Sequence, residues 1–159
     1  MTRKTTLADI VGTCERAAFR MGLEPDNPAR RHMRKVLAAL SGQRFPLEDE
    51  KQTQAAISQA LAAAGLHAER EVPVAGGVID FVVTFSEPSP PPLRSMRFRH
   101  VGIEVKIKGG AAAIGRQLKG YAAEDGLDGL ILATSRAMAL PVEIGGKPVA
   151  VVDLGRAWL

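Results

Sequence analysis

Two apolar stretches of the chain carry charged residues at their centres. Asp80 lies in "GGVIDFVVTF", and Glu104 and Lys106 lie in the later stretch "VGIEVKIKG". The alternation of apolar residues predicts that both stretches are β-strands. Burying charges in a strand without partners would cost several kcal/mol, so the pattern indicates that these charges have a task.

If the two strands pair, their acidic side chains converge on one site. Alternate side chains of a strand share a face about 6.6 Å apart, so Glu104 and Lys106 point the same way. Asp80 and Glu104 would then repel each other unless one is protonated or a cation lies between them. Mg²⁺ takes carboxylate oxygens as ligands and keeps several waters. Lys106 could orient a water or neutralise charge on a phosphate, so these residues predict a metal site for phosphate chemistry.

The segments before these strands are predicted to be helical. A first helix is predicted from Thr6, and a second from Pro28 with Asn27 as its N-cap. Together they predict an N-terminal helical hairpin over residues 1–45, added to a main domain over residues 46–159.

A third helix is predicted over residues 48–64. Its core-facing stripe includes Gln54, Ile57 and Leu61, and Glu50 lies on the same stripe. A carboxylate on that stripe is poorly placed unless it has a task. The alternative is that the dipole of the helix N-terminus favours Glu50, as it would any acid in the first turn.

The rest of the chain alternates predicted strands with one further helix. "AEREVPV" and "GGVIDFVVTF" predict a hairpin, and "MRFRHVGIEVKIKG" predicts a third strand. The intervening "SEPSPPPLRS" is predicted to be an extended loop. A helix over residues 111–124 is followed by the predicted strands "DGLILAT" and "KPVAVVDL". This order predicts an α/β sandwich, a mixed central sheet flanked by helices.

Four features occur in a definite order along residues 48–134. They are Glu50 in a helix, Asp80 in "GGVIDF", Glu104 with Lys106 in "GIEVK", and Gln117 with Tyr121 in "IGRQLKGY". Together they resemble the PD-(D/E)XK nuclease superfamily, which has the restriction-endonuclease-like fold. The last feature is similar to the Q-x-x-x-Y element of some branches, whose two side chains share a helical face. Ile79 departs from the proline that commonly precedes the first acid.

The resemblance implies an enzyme that hydrolyses phosphodiester bonds of DNA with Mg²⁺, for which Mn²⁺ would substitute. It implies that Asp80, Glu104 and the backbone carbonyl of Val105 are metal ligands. Lys106 would be the catalytic lysine, stabilising negative charge while a water attacks the phosphorus in line.

The resemblance also implies supporting roles for residues outside the two strands. Glu50 would hold a metal-bound water or a second ion, with Glu71 in "EREVPV" as the alternative third acid. Gln117 would position the substrate or the lysine. Tyr121 would contact the nucleic-acid backbone or brace Gln117, and packing in the core is an equal alternative.

Basic residues are concentrated in one part of the chain. Residues 93–120 contain seven basic residues and one acid, Glu104, a local excess of six. Such a stretch suits a polyanionic partner, although it could also be an ordinary solvated face. Under the nuclease hypothesis DNA, rather than RNA, would be held through its backbone by Arg94, Arg97, Arg99, Arg116 and Lys119.

The composition is that of a globular protein, with 46% hydrophobic and 24% charged residues among 159. Cys14 is the only cysteine, which excludes a disulfide framework and a cysteine-based zinc cluster. The sequence has neither a membrane-spanning apolar run nor a signal-peptide core at its start, so a cytoplasmic protein without membrane contact is expected. The small size would suit a homodimer.

Two other hypotheses compete with the nuclease. A non-catalytic module could keep the fold and bind nucleic acid through its basic face, although the intact set of acids and lysine argues against lost activity. In a purely structural protein, Glu104 and Lys106 would form a salt bridge, and Asp80 would end a strand ladder or cap a turn. That hypothesis leaves unexplained why Glu50, Asp80 and Glu104 all face or flank the core.

Overall fold

The computed structural model describes residues 27–156, which form three helices and six strands. In chain order they are α1 (Pro28–Leu40), α2 (Glu50–Ala63), β1 (Ala68–Val74), β2 (Gly77–Pro88), β3 (Met96–Lys106), α3 (Ala111–Ala122), β4 (Gly129–Thr134), β5 (Glu143–Ile144) and β6 (Lys147–Asp153). None of the helices in this part of the chain has the length and apolar character needed to cross a membrane.

The six strands form one sheet in the order β1-β2-β3-β4-β6-β5. The first three are joined by antiparallel pairing, whereas β3 pairs with β4, and β4 with β6, in parallel. The short β5 closes the far edge antiparallel to β6. The predicted mixed sheet is therefore confirmed.

Helices cover both faces of this sheet. The odd-numbered residues Val101, Ile103 and Val105 of β3 lie in a core that α1 and α2 complete. A second core lies on the opposite face under α3, where Leu118 and Tyr121 pack with residues of β2 and β4. The predicted α/β sandwich is thus confirmed.

The helix starts follow local capping chemistry. The side chain of Asn27 accepts a hydrogen bond from the backbone N–H of Ala29 at 2.9 Å, and Pro28 occupies the first position of α1, as predicted. Helix α2 begins at Glu50, two residues later than predicted, because Asp49 is its N-cap and accepts from the N–H of Lys51. The helix predicted from Thr6 lies outside the described residues.

The structure corrects one predicted loop and adds one short strand. The loop predicted over "SEPSPPPLRS" is wrong for its first three residues, because β2 continues to Pro88, which pairs with Met96 of β3. Proline is tolerated at such a strand end, where no neighbour needs its missing N–H. The two-residue strand β5 was not predicted, since two residues are too few to show a period.

Candidate functional site

The pairing of β2 with β3 places Asp80 and Glu104 side by side. The register ends with Phe81 opposite Ile103, and the next residues on the two strands are Asp80 and Glu104. The backbone N–H of Val105 donates to Asp80 Oδ2 at 2.8 Å, which ties the carboxylate to β3. The predicted convergence of these two acids is therefore present.

An irregularity in the outer strands accompanies this site. Arg70 pairs with Phe81 and Val72 pairs with Ile79, but the residues between them, Glu71 and Asp80, are not paired. Glu71 has a φ of +51°, a left-handed conformation that residues other than glycine seldom adopt. The strands thus depart from regular structure at the position where both acidic side chains border the cleft.

The first turns of α2 approach the same acids from the side of the first core. Gln54 Nε2 donates to Asp80 Oδ1 at 2.9 Å, so both oxygens of Asp80 accept hydrogen bonds. Glu50 Oε2 accepts from the backbone N–H of Ile107 at 3.3 Å. Helix α2 thereby fixes the orientation of Asp80 and docks against the end of β3.

Lys106 lies between two carboxylates. Its Nζ is 2.9 Å from Glu104 Oε1 and 3.6 Å from Glu50 Oε1. Burial acts to lower the pKa of Lys106, but the hydrogen bond and charge of Glu104, with the charges of Glu50 and Asp80, raise it above its usual value. The lysine is therefore held in its cationic form.

Helix α3 supports Glu104 from the second core. Gln117 Nε2 donates to Glu104 Oε1 at 2.7 Å and to the hydroxyl of Tyr121 at 2.6 Å. The Tyr121 hydroxyl donates in turn to the carbonyl of Val78 at 2.6 Å. Because the Tyr121 side chain lies in the core, with 1% of the residue exposed, it braces Gln117 and offers little surface to a nucleic acid.

The surroundings of Asp80 and Glu104 disfavour the ionised form of each carboxyl group. Burial raises the pKa of Asp80, and the charges of Glu50 and Glu71 add to the effect. Burial also raises the pKa of Glu104, and the charge of Asp80 adds to it. Glu104 Oε2 is buried without a hydrogen-bond partner among the described residues. The positive charge of Lys106 acts to lower both pKa values but does not offset burial and the repulsion between the acids.

A cleft of about 940 Å³ opens over these residues. Its walls come from α2, α3 and the first three strands, with Glu50, Lys51, Gln54, Arg70, Glu71, Val78, Asp80, Glu104, Lys106 and Gln117 as lining residues. Four of these are acids and three are cations, which gives a formal charge of −1. Lys51 and Arg70 were not predicted as site residues, although each adjoins an acid that the sequence singled out.

The predicted nucleic-acid contacts do not gather at this cleft. Arg97 is exposed at the opposite end of β3 and Arg94 is exposed just before that strand, while Arg99 lies about 17 Å along the strand from Glu104. Arg99 is engaged in ion pairs with Glu87 at 3.0 Å and Asp128 at 2.9 Å. The other two, Arg116 and Lys119, are exposed on α3.

Asp80 and Glu104 are the pair of acids that could hold a metal ion. Within residues 27–156 no group of three or more His, Cys, Asp or Glu side chains is arranged to bind a metal. Asp80 and Glu104 therefore offer two carboxylates, and backbone oxygen or water would have to complete the coordination of a hard cation.

Comparison with known proteins yields no relative. No family model, no curated protein and no solved structure matches this chain. What the site can do must therefore be inferred from its own residues.

Proposed function

We propose that the protein is a Mg²⁺-dependent nuclease that hydrolyses phosphodiester bonds of DNA, on a restriction-endonuclease-like fold of the PD-(D/E)XK type. The observation that carries this proposal is the convergence of Asp80, Glu104 and Lys106 at one cleft. They come from two paired strands. Their order along the chain and the elements that carry them resemble that superfamily. Gln117 contacts Glu104 from the next helix, in the position of the Q-x-x-x-Y element.

The donor set supports a hydrated magnesium ion. Asp80 and Glu104 supply hard oxygen ligands, and the carbonyl of Val105 would be a third. Glu104 Oε2 is buried without a partner among the described residues, and a buried unsatisfied carboxylate oxygen is costly. A divalent cation would satisfy that oxygen and would offset the repulsion between the two acids.

The protein's own residues divide the remaining tasks. When bound, Mg²⁺ would supply Lewis acidity toward a phosphate oxygen and favour deprotonation of a water. Lys106, kept cationic by Glu104 and Glu50, would stabilise the negative charge that develops on the phosphate. Gln117 would keep the Glu104 carboxylate in place through its hydrogen bond to Oε1. Glu50 would orient both Lys106 and a water at the cleft.

The charge of the cleft fits a metal-dependent substrate site. Its four acids and three cations give −1, and one divalent cation would change this to +1. A polyanion would therefore be attracted to the metal-loaded cleft and repelled from the metal-free one. Lys51 and Arg70 line the cleft, are exposed and make no side-chain ion pair among the described residues, so they would be available to phosphates.

The second candidate is a nucleic-acid-binding module that does not cut. It is favoured by Arg94 and Arg97, which are exposed far from the cleft and could hold DNA without any chemistry. This candidate predicts binding that is sensitive to salt and indifferent to Glu104.

A cleavage assay separates the two candidates. The purified protein would be incubated with linear, circular and branched DNA, with Mg²⁺, with Mn²⁺ and with EDTA. We expect metal-dependent cutting that falls by at least about 100-fold in Glu104→Ala and in Lys106→Ala. Lys108→Ala, two residues further along and exposed, is the matched control and should cut normally. Binding of DNA by all variants without cutting by any would favour the binding module.

A further inference from the structure

Strands β2 and β3 project beyond both of their neighbours in the sheet. Pairing of β1 with β2 reaches only to Val83, and pairing of β4 with β3 begins only at Val101. The two strands nevertheless remain paired to Pro88 and Met96, and Ser89 N–H then donates to the carbonyl of Ser95 at 2.9 Å. Residues 85–99, named the ribbon here, thus form a two-stranded extension of the sheet.

One face of the ribbon is anchored to α1. Glu87 accepts from Arg99 Nε at 3.0 Å and lies 3.2 Å from His32 Nε2 on the helix. The His32 ring stacks on Phe85, with the two ring centroids 4.4 Å apart. These contacts hold the ribbon in a fixed direction relative to the sheet.

The opposite face of the ribbon is apolar and open to solvent. Met96 and Phe98 are 53% and 61% exposed, and Leu93 at the tip is 59% exposed. Three of the five large hydrophobic residues that the described chain exposes therefore lie in this segment. Because alternate residues of a strand share a face, Met96 and Phe98 lie on the same face of β3 as Glu104.

The charged side chains of the ribbon that form no ion pair among the described residues are positive. Arg94 and Arg97 are exposed and make no ion pair among the described residues, whereas the acid Glu87 is already paired with Arg99. Arg94 precedes β3 near the tip, and Arg97 lies on the face of β3 opposite Met96 and Phe98. A second copy of this chain would bring like charges together at this surface. An anionic partner with apolar surface fits it better than a second copy does.

We propose that the ribbon seats in a groove of duplex DNA, with Phe98 and Met96 facing into the groove. Arg94, near the tip, and Arg97, on the outer face of β3, would reach phosphates at the edges of the groove. The inference rests on the proposed function for its partner. The major groove, about 12 Å wide, admits a two-stranded β-ribbon. Phe98 precedes Glu104 by six residues, or about 20 Å of strand, which equals the rise of about six base pairs. A duplex could therefore contact the ribbon and the cleft at once.

Binding in EDTA tests the ribbon without requiring catalysis. A fluorescein-labelled duplex of about two helical turns would be titrated with protein, in parallel with a single strand of the same length. We expect tighter binding of the duplex. In Arg94→Gln/Arg97→Gln the slope of log affinity against log salt should fall by about two. Phe98→Ser should weaken duplex binding about tenfold, because the exposed ring loses its contact with the groove.

Two exposed residues elsewhere provide matched controls. Val142, 67% exposed before β5, is the control for Phe98, and Arg156, which is exposed after β6, is the control for the arginines. Val142→Ser and Arg156→Gln should bind the duplex as the wild type does. All five side chains that are changed in the ribbon and controls are exposed, and thermal unfolding would verify that each variant is folded.

Several results would overturn the ribbon inference. One is equal duplex affinity of Phe98→Ser and Val142→Ser. Another is binding of wild-type protein to phosphatidylserine vesicles, lost in Phe98→Ser, with no effect on DNA. A third is a wild-type dimer that Phe98→Ser converts to a monomer. Metal-dependent cutting with unchanged binding in the ribbon variants would overturn this inference alone. Ribbon-dependent binding without any cutting would overturn the proposed nuclease alone.

Discussion

At the scale of single residues, Lys106 is the centre of the site. It lies 2.9 Å from Glu104 Oε1 and 3.6 Å from Glu50 Oε1, and thus balances charge from two elements. Glu104 is buried, with its pKa raised by that burial, so it depends on this cation in the metal-free protein. One side chain therefore serves both the stability of the site and the proposed chemistry.

Replacing Lys106 with methionine should separate these two roles. Lys106→Met keeps most of the side-chain length but leaves the buried Glu104 carboxylate without its cation. We expect the metal-free variant to lose about 1–3 kcal/mol in free energy of unfolding, measured with urea. Lys108→Met, at an exposed position, should be unchanged. Equal stability of the two variants would show that Glu104 does not rely on Lys106.

The sequence could predict the acids and the lysine because strand alternation and pairing alone bring them together. It could not predict that Arg99 forms ion pairs, since its partners Glu87 and Asp128 are 12 and 29 residues away along the chain. Nor could it decide among the three alternatives for Tyr121. That choice depends on the hydrogen bond from its hydroxyl to the carbonyl of Val78, which only the packing of α3 on β2 creates.

At the scale of elements, α3 is held at the site by a close backbone contact with the β1–β2 turn. A Cβ added at Gly76 would lie 2.5 Å from the carbonyl carbon of Gly120, so the turn and the helix touch without side chains between them. The backbone N–H of Ala75 also donates to Glu124 at 2.9 Å. This contact fixes the distance of α3, and with it Gln117 and Tyr121, from the sheet.

A single methyl group should therefore disturb this packing. Gly76→Ala forces the turn away from α3, because the obstructing atoms are backbone atoms that cannot rotate aside. We expect a loss of about 1–3 kcal/mol in free energy of unfolding, together with reduced activity. Gly115→Ala is the control. Gly115 lies on α3, as Gly120 does, and nothing lies within 4 Å of its added Cβ. That change should stabilise the helix by about 0.5–1 kcal/mol. A neutral Gly76→Ala would contradict the contact.

The anchor between the ribbon and α1 should give the protein a pH-dependent stability. The hydrogen bond from Arg99, with a smaller contribution from His32, lowers the pKa of Glu87 below its usual value of 4.5. A carboxyl whose folded-state pKa is depressed adds stability above its unfolded pKa and loses it as the pH falls through the folded value. Glu87→Gln should thus be less stable than the wild type at pH 7, by about 1 kcal/mol. The difference should vanish below the folded pKa of Glu87. Urea unfolding across this pH range measures the difference in free energy of unfolding between the two proteins. A difference that persists in acid would show that Glu87 stabilises the fold through packing and not through its charge.

The elements themselves differ in how far the sequence predicts them. Long segments with a clear period, such as α1 and β3, have residues whose spacing fixes which face is buried. The continuation of β2 through Ser86, Glu87 and Pro88 could not be predicted from those residues, which favour turns. It arises from the pairing partner, since β3 supplies Arg97 and Phe98 opposite them. Tertiary pairing overrides local preference at that point.

At the scale of the whole molecule, two features on one face of the sheet lie about 20 Å apart. One is the acidic cleft at the end of β3, and the other is the exposed apolar face of the ribbon at its start. The positive charge of the ribbon would attract a polyanion, whereas the metal-free cleft, at −1, would repel it. Binding and cutting are thus expected to depend differently on metal.

A divalent cation should stabilise the folded protein if the cleft binds it. At a Mg²⁺ concentration ten times the dissociation constant, the gain is about 1.4 kcal/mol, or about 3–6 °C in melting temperature for a domain of this size. The shift follows because binding relieves the repulsion between Asp80 and Glu104. Thermal unfolding in a Mg²⁺ titration measures it, and Asp80→Asn should abolish it. Asp125→Asn, in an exposed turn, should shift as the wild type does. An equal shift in all three proteins would show that the ion binds elsewhere. No shift in the wild type would show that the cleft does not bind Mg²⁺.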